Sequence, residues 1–257
     1  IDDYELFKES NKELEKLSKE NKPFIAYIQT ASNHIPFTVP DEKESFKPLK
    51  EDDIESSLLG TSGFKSVAQL NALRYLDFNI GRFLDRAKTS GYYDNTIFVF
   101  FGDHNTAMTK TDILPKEYDL NIETLHTPFI IHAPKFIKPR VIKKNGKIID
   151  LFPTIISLAK INHTNYTLGN NLLDSTYINT SSFVYLKING EPAVGLIKDS
   201  LYYYKTRLTN TTGMYNLNEK SLTDLRDTYP KKLIKMDSLL EAYYHSTKYL
   251  YFNNKKE

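Results

Sequence analysis

The chain has 257 residues, 34 basic against 32 acidic, and no cysteine. That length suits one large domain or a domain with an appendage, and the near-balanced charge argues against nucleic acid as the main partner. Disulfides, thiolate metal sites and cysteine nucleophiles are all excluded, and no run approaches the roughly 18 to 20 apolar residues of a membrane-spanning helix.

Residues 1–22 are charged, with Leu6, Phe7, Leu14 and Leu17 at helical spacing, and predict a surface helix ended by Asn21 and Pro23. "FIAYIQT", 24–30, is short and apolar and predicts a buried strand. A polar loop with prolines, "ASNHIPFTVP", follows, and 41–62 is acidic and irregular. From Phe64 to Ala87 a stripe of Phe64, Val67, Leu70, Leu73, Leu76, Ile80, Phe83, Leu84 and Ala87 predicts an amphipathic helix stopped near Gly91. "TIFVFFGD", 96–103, and "TPFIIHA", 127–133, predict two further strands, separated by a stretch long enough to be a functional loop. "IIDLFPTIISLAKI", 148–161, reads as a helix entered through Pro153. Strands and helices in this order imply an α/β domain with a mostly parallel sheet. The last third predicts a small antiparallel meander, with turns at Asn189-Gly190 and Asp199-Ser200, and a closing helix over 229–245. Basic residues gather at Lys138 to Lys147 and at Lys255 and Lys256, and read as solvated surface. Asn-X-Ser/Thr triplets beginning at Asn162, Asn165, Asn179 and Asn210 carry little weight in a chain so rich in Asn.

In an α/β sheet, ligands gather at the carboxyl ends of the strands. His34 follows the first strand, Asp103 and His104 follow the second, and His126 precedes the third on the returning loop. Carboxylate with imidazole suits Zn2+ or Mn2+. Taken singly, each residue also has a plain structural explanation. An Asp-His pair after a strand makes a turn or helix cap, His34 shapes a proline-rich loop, and His132 inside an apolar strand reads as a core histidine. His163 and His245 are in polar surface contexts.

Four segments, "KPFIAYIQTASNHIPF", "ALRYLDFNIGRFLDRAKTSGYYDNTIFVFFGDHN", "LHTPFIIHAP" and "IIDLFPTIISLAKI", resemble in order and spacing the sulfatase family of the alkaline phosphatase superfamily. The resemblance covers about residues 1–175 and is nearest to the branch of lipoteichoic acid synthases and phosphoethanolamine transferases. It implies an alkaline-phosphatase-like, mostly parallel sheet flanked by helices over 1–175, with a small C-terminal α+β subdomain over 176–257. It places the family's strand-end ligands of Zn2+ or Mn2+ on Asp103 and His104. It gives His34 and His126 catalytic roles, contacting the substrate phosphate or a second metal. Asn105 stands where sulfatases usually have glycine. The family's acidic first-strand ligand and its nucleophile, threonine in the transferases and formylglycine in the sulfatases, precede the matched part. The chain is therefore expected to be the C-terminal portion of a longer protein, anchored in the membrane through a segment outside it and acting on the periplasmic or extracellular face of the cytoplasmic membrane. By itself it is expected to bind metal weakly and turn nothing over.

The implied function is transfer of a phosphoglycerol or phosphoethanolamine head group from a lipid to a cell-envelope acceptor. The implied partners are a lipid head-group or sulfate-ester substrate and the membrane, with no nucleic acid. Two other readings stay open, a sulfatase-type hydrolase of sulfate esters and a non-catalytic module that kept the fold. The last expects His34, Asp103, His104 and His126 to be scattered.

Overall fold

The computed structural model describes residues 1–111, 115–177, 181–219 and 221–254; the Asn179 triplet and Lys255 and Lys256 lie outside the described residues. The chain divides into two units, Ile1–Pro115 with Thr127–Pro139, and Lys116–His126 with Arg140–Glu257.

In the first unit, helix α1 (Asp3–Lys19) starts at Asp2, whose carboxylate accepts the Glu5 N–H. Its outer face carries Glu/Lys pairs three and four residues apart, from Lys8–Glu5 to Lys19–Glu15, each worth a few tenths of a kcal/mol. Its inner face buries Phe7 and Leu14 with Phe83, Ala87, Tyr92 and Phe98, at about 1.5–3 kcal/mol per large apolar side chain. After the short α2 (Ser56–Thr61), helix α3 (Val67–Thr89) is capped by Ser66, which accepts the Gln69 N–H. The buried line of α3 runs Val67, Asn71, Tyr75, Asn79, Phe83 and Ala87, spaced by four. The expected leucine stripe is displaced: Leu73 is exposed, and Asn71 and Asn79 are buried in its stead. Asn71 bonds the Leu49 backbone through both its amide oxygen and its amide nitrogen, and the Asn79 Nδ2 donates to the Tyr75 carbonyl, so hydrogen bonding offsets much of the cost of burying them.

Strands β1 (Phe98–Phe101) and β2 (Phe129–His132) form one ladder, pairing Phe98 with His132 and Phe101 with Phe129. The α/β class expected from the sequence is the class observed, but this ladder is antiparallel. Segment 24–30 runs against β1 through Tyr27 and Phe101, whose rings lie 6.4 Å apart, yet it joins no ladder among the described residues. The physical reason is that an apolar run fixes neither ladder pairing nor strand direction, and Ile25 and Tyr27, expected in a buried strand, are 79% and 70% exposed here.

Helix α4 (Pro115–Asp119) leads into the second unit, where α5 (Leu151–Leu158) follows a 3-10 turn at Ile148–Asp150. A four-stranded meander comes next: β3 (Ser181–Ile188), β4 (Glu191–Lys198), β5 (Leu201–Thr206) and β6 (Thr212–Asn216), in that order and antiparallel throughout. Asn189 and Gly190 both take positive φ, 50° and 81°, as a two-residue hairpin of this twist requires. One face of the meander buries Val194, Leu196, Tyr203 and Met214 against Met236 and Leu240 of α6 (Pro230–Asn253). The other buries Leu186, Ala193 and Tyr202 with Leu120 and Ile122. Helix α6 runs to Asn253, past its expected end at 245. The extra turns carry Tyr249, Tyr251 and Phe252 exposed, so no apolar stripe marks them. No helix among the described residues is long and apolar enough to cross a membrane.

Candidate functional site

Strand β1 ends in Gly102, Asp103 and His104. Pairing with the returning chain continues one residue past the strand, because the Gly102 N–H donates to the Pro128 carbonyl at 3.2 Å. A Cβ on Gly102 would lie 3.1 Å from Thr127 Cβ, so any larger residue would have to push Thr127 aside by a few tenths of an ångström. The next two side chains leave the sheet into solvent, with 67% of Asp103 and 59% of His104 exposed. Asp103 Oδ1 accepts the His104 N–H at 2.9 Å, and His104 Nε2 stands 4.0 Å from the same oxygen.

His104 Nδ1 lies 3.1 Å from the Asn105 carbonyl, and His34 Nδ1 lies 2.8 Å from the Ile35 carbonyl. A carbonyl only accepts, so in the neutral form of each ring the proton sits on Nδ1 and Nε2 carries the lone pair. A backbone acceptor on the far nitrogen is the usual support of a metal-ligating imidazole. The His34 and His104 rings meet nearly edge-on, with centroids 6.5 Å apart.

The loop carrying His34 is held from behind. Asp3, 1% exposed, accepts the N–H groups of Ala31 and Ser32 on Oδ1 at 2.9 and 3.1 Å. Its own N–H donates to Ser32 Oγ at 3.2 Å. Within the loop the His34 N–H reaches the Ala31 carbonyl and the Phe37 N–H reaches the His34 carbonyl. Phe37 takes φ 62°, an uncommon conformation for a bulky residue that the surrounding bonds hold in place. The far end of the loop, Pro36 to Val39, forms one wall of a groove of about 770 Å³ that Leu49, Val67 and Asn71 also line. The chain after His104 is tied down as well: the Thr109 N–H and Oγ1 bond to the Gly63 and Gly60 carbonyls at 2.8 Å each.

His126 belongs to the second unit. Its Nδ1 sits 3.1 and 3.0 Å from the two carboxylate oxygens of Glu117 on α4. That hydrogen bond raises the His126 pKa above its ordinary value, against a smaller opposing effect of burial. Glu117 is a partner that sequence reading did not single out, nor did it single out Asp3 or Ser32. His132 is half-buried on β2 and meets the Tyr93 hydroxyl at 2.5 Å, a structural contact as expected. His163 and His245 are at the surface, His245 beside Glu241.

A divalent cation suits the donor set in kind: an exposed carboxylate with an adjacent imidazole presenting a lone pair. In number the set is short of the usual four ligands. Among the described residues, no group of three or more His, Cys, Asp or Glu is arranged to hold a metal ion.

The sulfatase family model matches residues 1–161. The chain belongs to the sulfatase family. Among its sulfatase-family relatives, the lipoteichoic acid synthase of Staphylococcus saprophyticus is 33% identical over 71% of this chain and 27% of its own length. The lipoteichoic acid synthase-like protein YvgJ of Bacillus subtilis is 28% identical over 94% of this chain and 38% of its own length. The chain thus spans about a third of these relatives. A crystal structure from the alkaline phosphatase superfamily of Vibrio parahaemolyticus shares the fold at TM-score 0.66, 24% identical over 88% of this chain and 49% of that one.

Proposed function

We propose that the chain is the C-terminal part of a metal-dependent phosphotransferase. It would move a phosphoglycerol or phosphoethanolamine head group from a lipid to a cell-envelope acceptor, on the periplasmic or extracellular face of the cytoplasmic membrane. The observation that carries this reading is the meeting of His34 and His104 at 6.5 Å beside Asp103, each ring fixed in the tautomer that leaves Nε2 available. The family membership and the lipoteichoic acid synthases among its relatives support it.

Asp103 and His104 would hold Zn2+ or Mn2+ with ligands supplied from upstream of Ile1, and the ion when bound would polarise the phosphoryl oxygens and favour ionisation of an upstream hydroxyl nucleophile. His34, outside that ligand pair, takes a proton on Nε2 and donates to a non-bridging phosphoryl oxygen, or passes the proton to the leaving alkoxide. A second metal at His34 is the other use of the same lone pair. His126, hydrogen-bonded to Glu117, which raises its pKa, keeps in this reading the catalytic role that the family resemblance gives it. The groove past Pro36 gives a glycerol or ethanolamine unit room beside the loop.

The test is a protein that includes the sequence upstream of Ile1, assayed on vesicles of fluorescent phosphatidylglycerol and, separately, on an aryl sulfate. Diacylglycerol release that needs Zn2+ or Mn2+, falls at least a hundredfold in Asp103→Asn and is unaccompanied by sulfate release supports the transferase. Sulfate release without lipid cleavage assigns the chain to sulfate-ester hydrolysis instead, and neither activity assigns it to a non-catalytic module.

A further inference from the structure

The sequence between Glu123 and Asp150 contains no acidic residue and six basic ones, Lys135, Lys138, Arg140, Lys143, Lys144 and Lys147. Three of them are occupied. Lys135 pairs with Asp94 at 2.6 Å, Lys144 donates to the Asp174 carbonyl at 2.5 Å, and Lys147 is buried against Asp150. Among the described residues, Lys138, Arg140 and Lys143 enter no ion pair. The contrast with α1 is direct, since Lys8, Lys12, Lys16 and Lys19 each have a carboxylate within 3.4 Å.

Two apolar β-branched side chains lie between the unpaired cations of the second unit. Val141 is 85% exposed and Ile142 is 39% exposed, on backbone that joins no ladder. A single exposed valine is ordinary on a protein surface. Here an exposed apolar pair is flanked on both sides by cations that have no internal use. The matching environment has anionic phosphate and hydrocarbon within a few ångströms of each other, which is the boundary between lipid head groups and acyl chains. A fully hydrated polyanion satisfies Arg140 and Lys143 equally well but gains nothing from Val141. The apolar pair therefore decides between the two.

We propose that residues 140–143 dock on the surface of an anionic lipid bilayer, with Arg140 and Lys143 on lipid phosphates and Val141 and Ile142 entering the acyl boundary. This surface stands apart from the transferase reading and holds whether or not the His34 and His104 site turns over.

The experiment is co-sedimentation of the 257-residue chain with vesicles of equimolar phosphatidylglycerol and phosphatidylcholine, with phosphatidylcholine alone, and with soluble polyphosphate as competitor. Binding is expected on the mixed vesicles and not on phosphatidylcholine. The R140Q/K143Q variant is expected to partition about tenfold more weakly. V141S is expected to partition about threefold more weakly and to keep the salt dependence of the parent. These positions are exposed, so both variants are expected to keep the parent's circular dichroism and melting temperature. Equal binding to the two vesicle types overturns the proposal. So does unchanged partitioning of either variant, or polyphosphate competition that V141S leaves untouched along with vesicle binding.

Discussion

Asp3 and Ser32 clasp each other across 29 positions of sequence: the Asp3 N–H donates to Ser32 Oγ at 3.2 Å while Asp3 Oδ1 accepts the Ser32 N–H at 3.1 Å. The first turn of α1 thereby fixes the chain two residues ahead of His34. Asp3→Ala strands the buried Ser32 N–H and releases the N–H of the exposed Ala31, and is expected to cost about 1–3 kcal/mol, read as a lowered melting temperature. Asp3→Asn keeps an acceptor and is expected to cost about half as much. The positioning role shows in the His34 imidazole resonances, which shift in Asp3→Ala and return in Asp3→Asn, while those of His132 stay in place. A melting temperature that drops with no movement of His34 would limit Asp3 to holding the helix.

The His126–Glu117 pair makes stability depend on pH, with a definite sign. The folded pKa of His126 is raised, so the pair contributes fully below the unfolded value of about 6.5 and its contribution is lost as pH rises through the folded value. The His126 side chain is 62% exposed, which keeps the effect below about 1 kcal/mol. Denaturant midpoints measured from pH 5 to 9 should fall across that window in the parent and stay flatter in Glu117→Gln. Identical profiles would mean that the pair does not survive in solution.

Gly102 sets the exit of β1. The methyl group of Gly102→Ala would press on Thr127 at 3.1 Å, and overpacking of this kind costs about 1–3 kcal/mol. Because Asp103 is the next residue, divalent-cation affinity should fall several-fold as well, measurable by calorimetry. Affinity unchanged beside a lowered stability would show that Asp103 adjusts independently of the strand.

In the second unit Asp150 is fully buried and takes three contacts: the N–H groups of Lys147 and Asn170 at 2.8 Å each, and Lys147 Nζ at 3.4 Å. Asp150→Ala leaves Lys147 buried without its carboxylate, held, among the described residues, only by the Ser181 carbonyl and the Tyr243 ring, and a loss of about 3–5 kcal/mol is expected by chemical denaturation. Combining Asp150→Ala with Lys147→Met should recover part of that loss, since the uncompensated charge is gone. No recovery would assign the cost to the two backbone N–H groups.

The sequence made some of this legible, and the reason differs from element to element. Asn189-Gly190 and the alternation of β4 and β5 are local signals, and the meander came out as expected. Helix α3 was found from periodicity, yet its buried line passes through Asn71 and Asn79, because hydrogen bonds inside the fold made room for polar groups that a hydropathy pattern counts as surface. The direction of the β1–β2 ladder is a property of connection and not of composition. At the candidate site, Asp103 and His104 could be singled out as candidates because residue type and position after a strand both carry meaning, while His34 was singled out after a segment, 24–30, that forms no ladder here. Asp3, Ser32 and Glu117 could not, since nothing in a single sequence links residue 3 to residues 31 and 32.

Mn2+ titration followed by imidazole NMR tests most directly the proposal that Asp103 and His104 hold an ion with the His34 ring, 6.5 Å from that of His104, beside it. Substoichiometric Mn2+ should broaden the His34 and His104 resonances together, leave His132, His163 and His245 sharp, and lose its effect in Asp103→Ala. Broadening of His104 without His34, or broadening that survives the loss of Asp103, would contradict it.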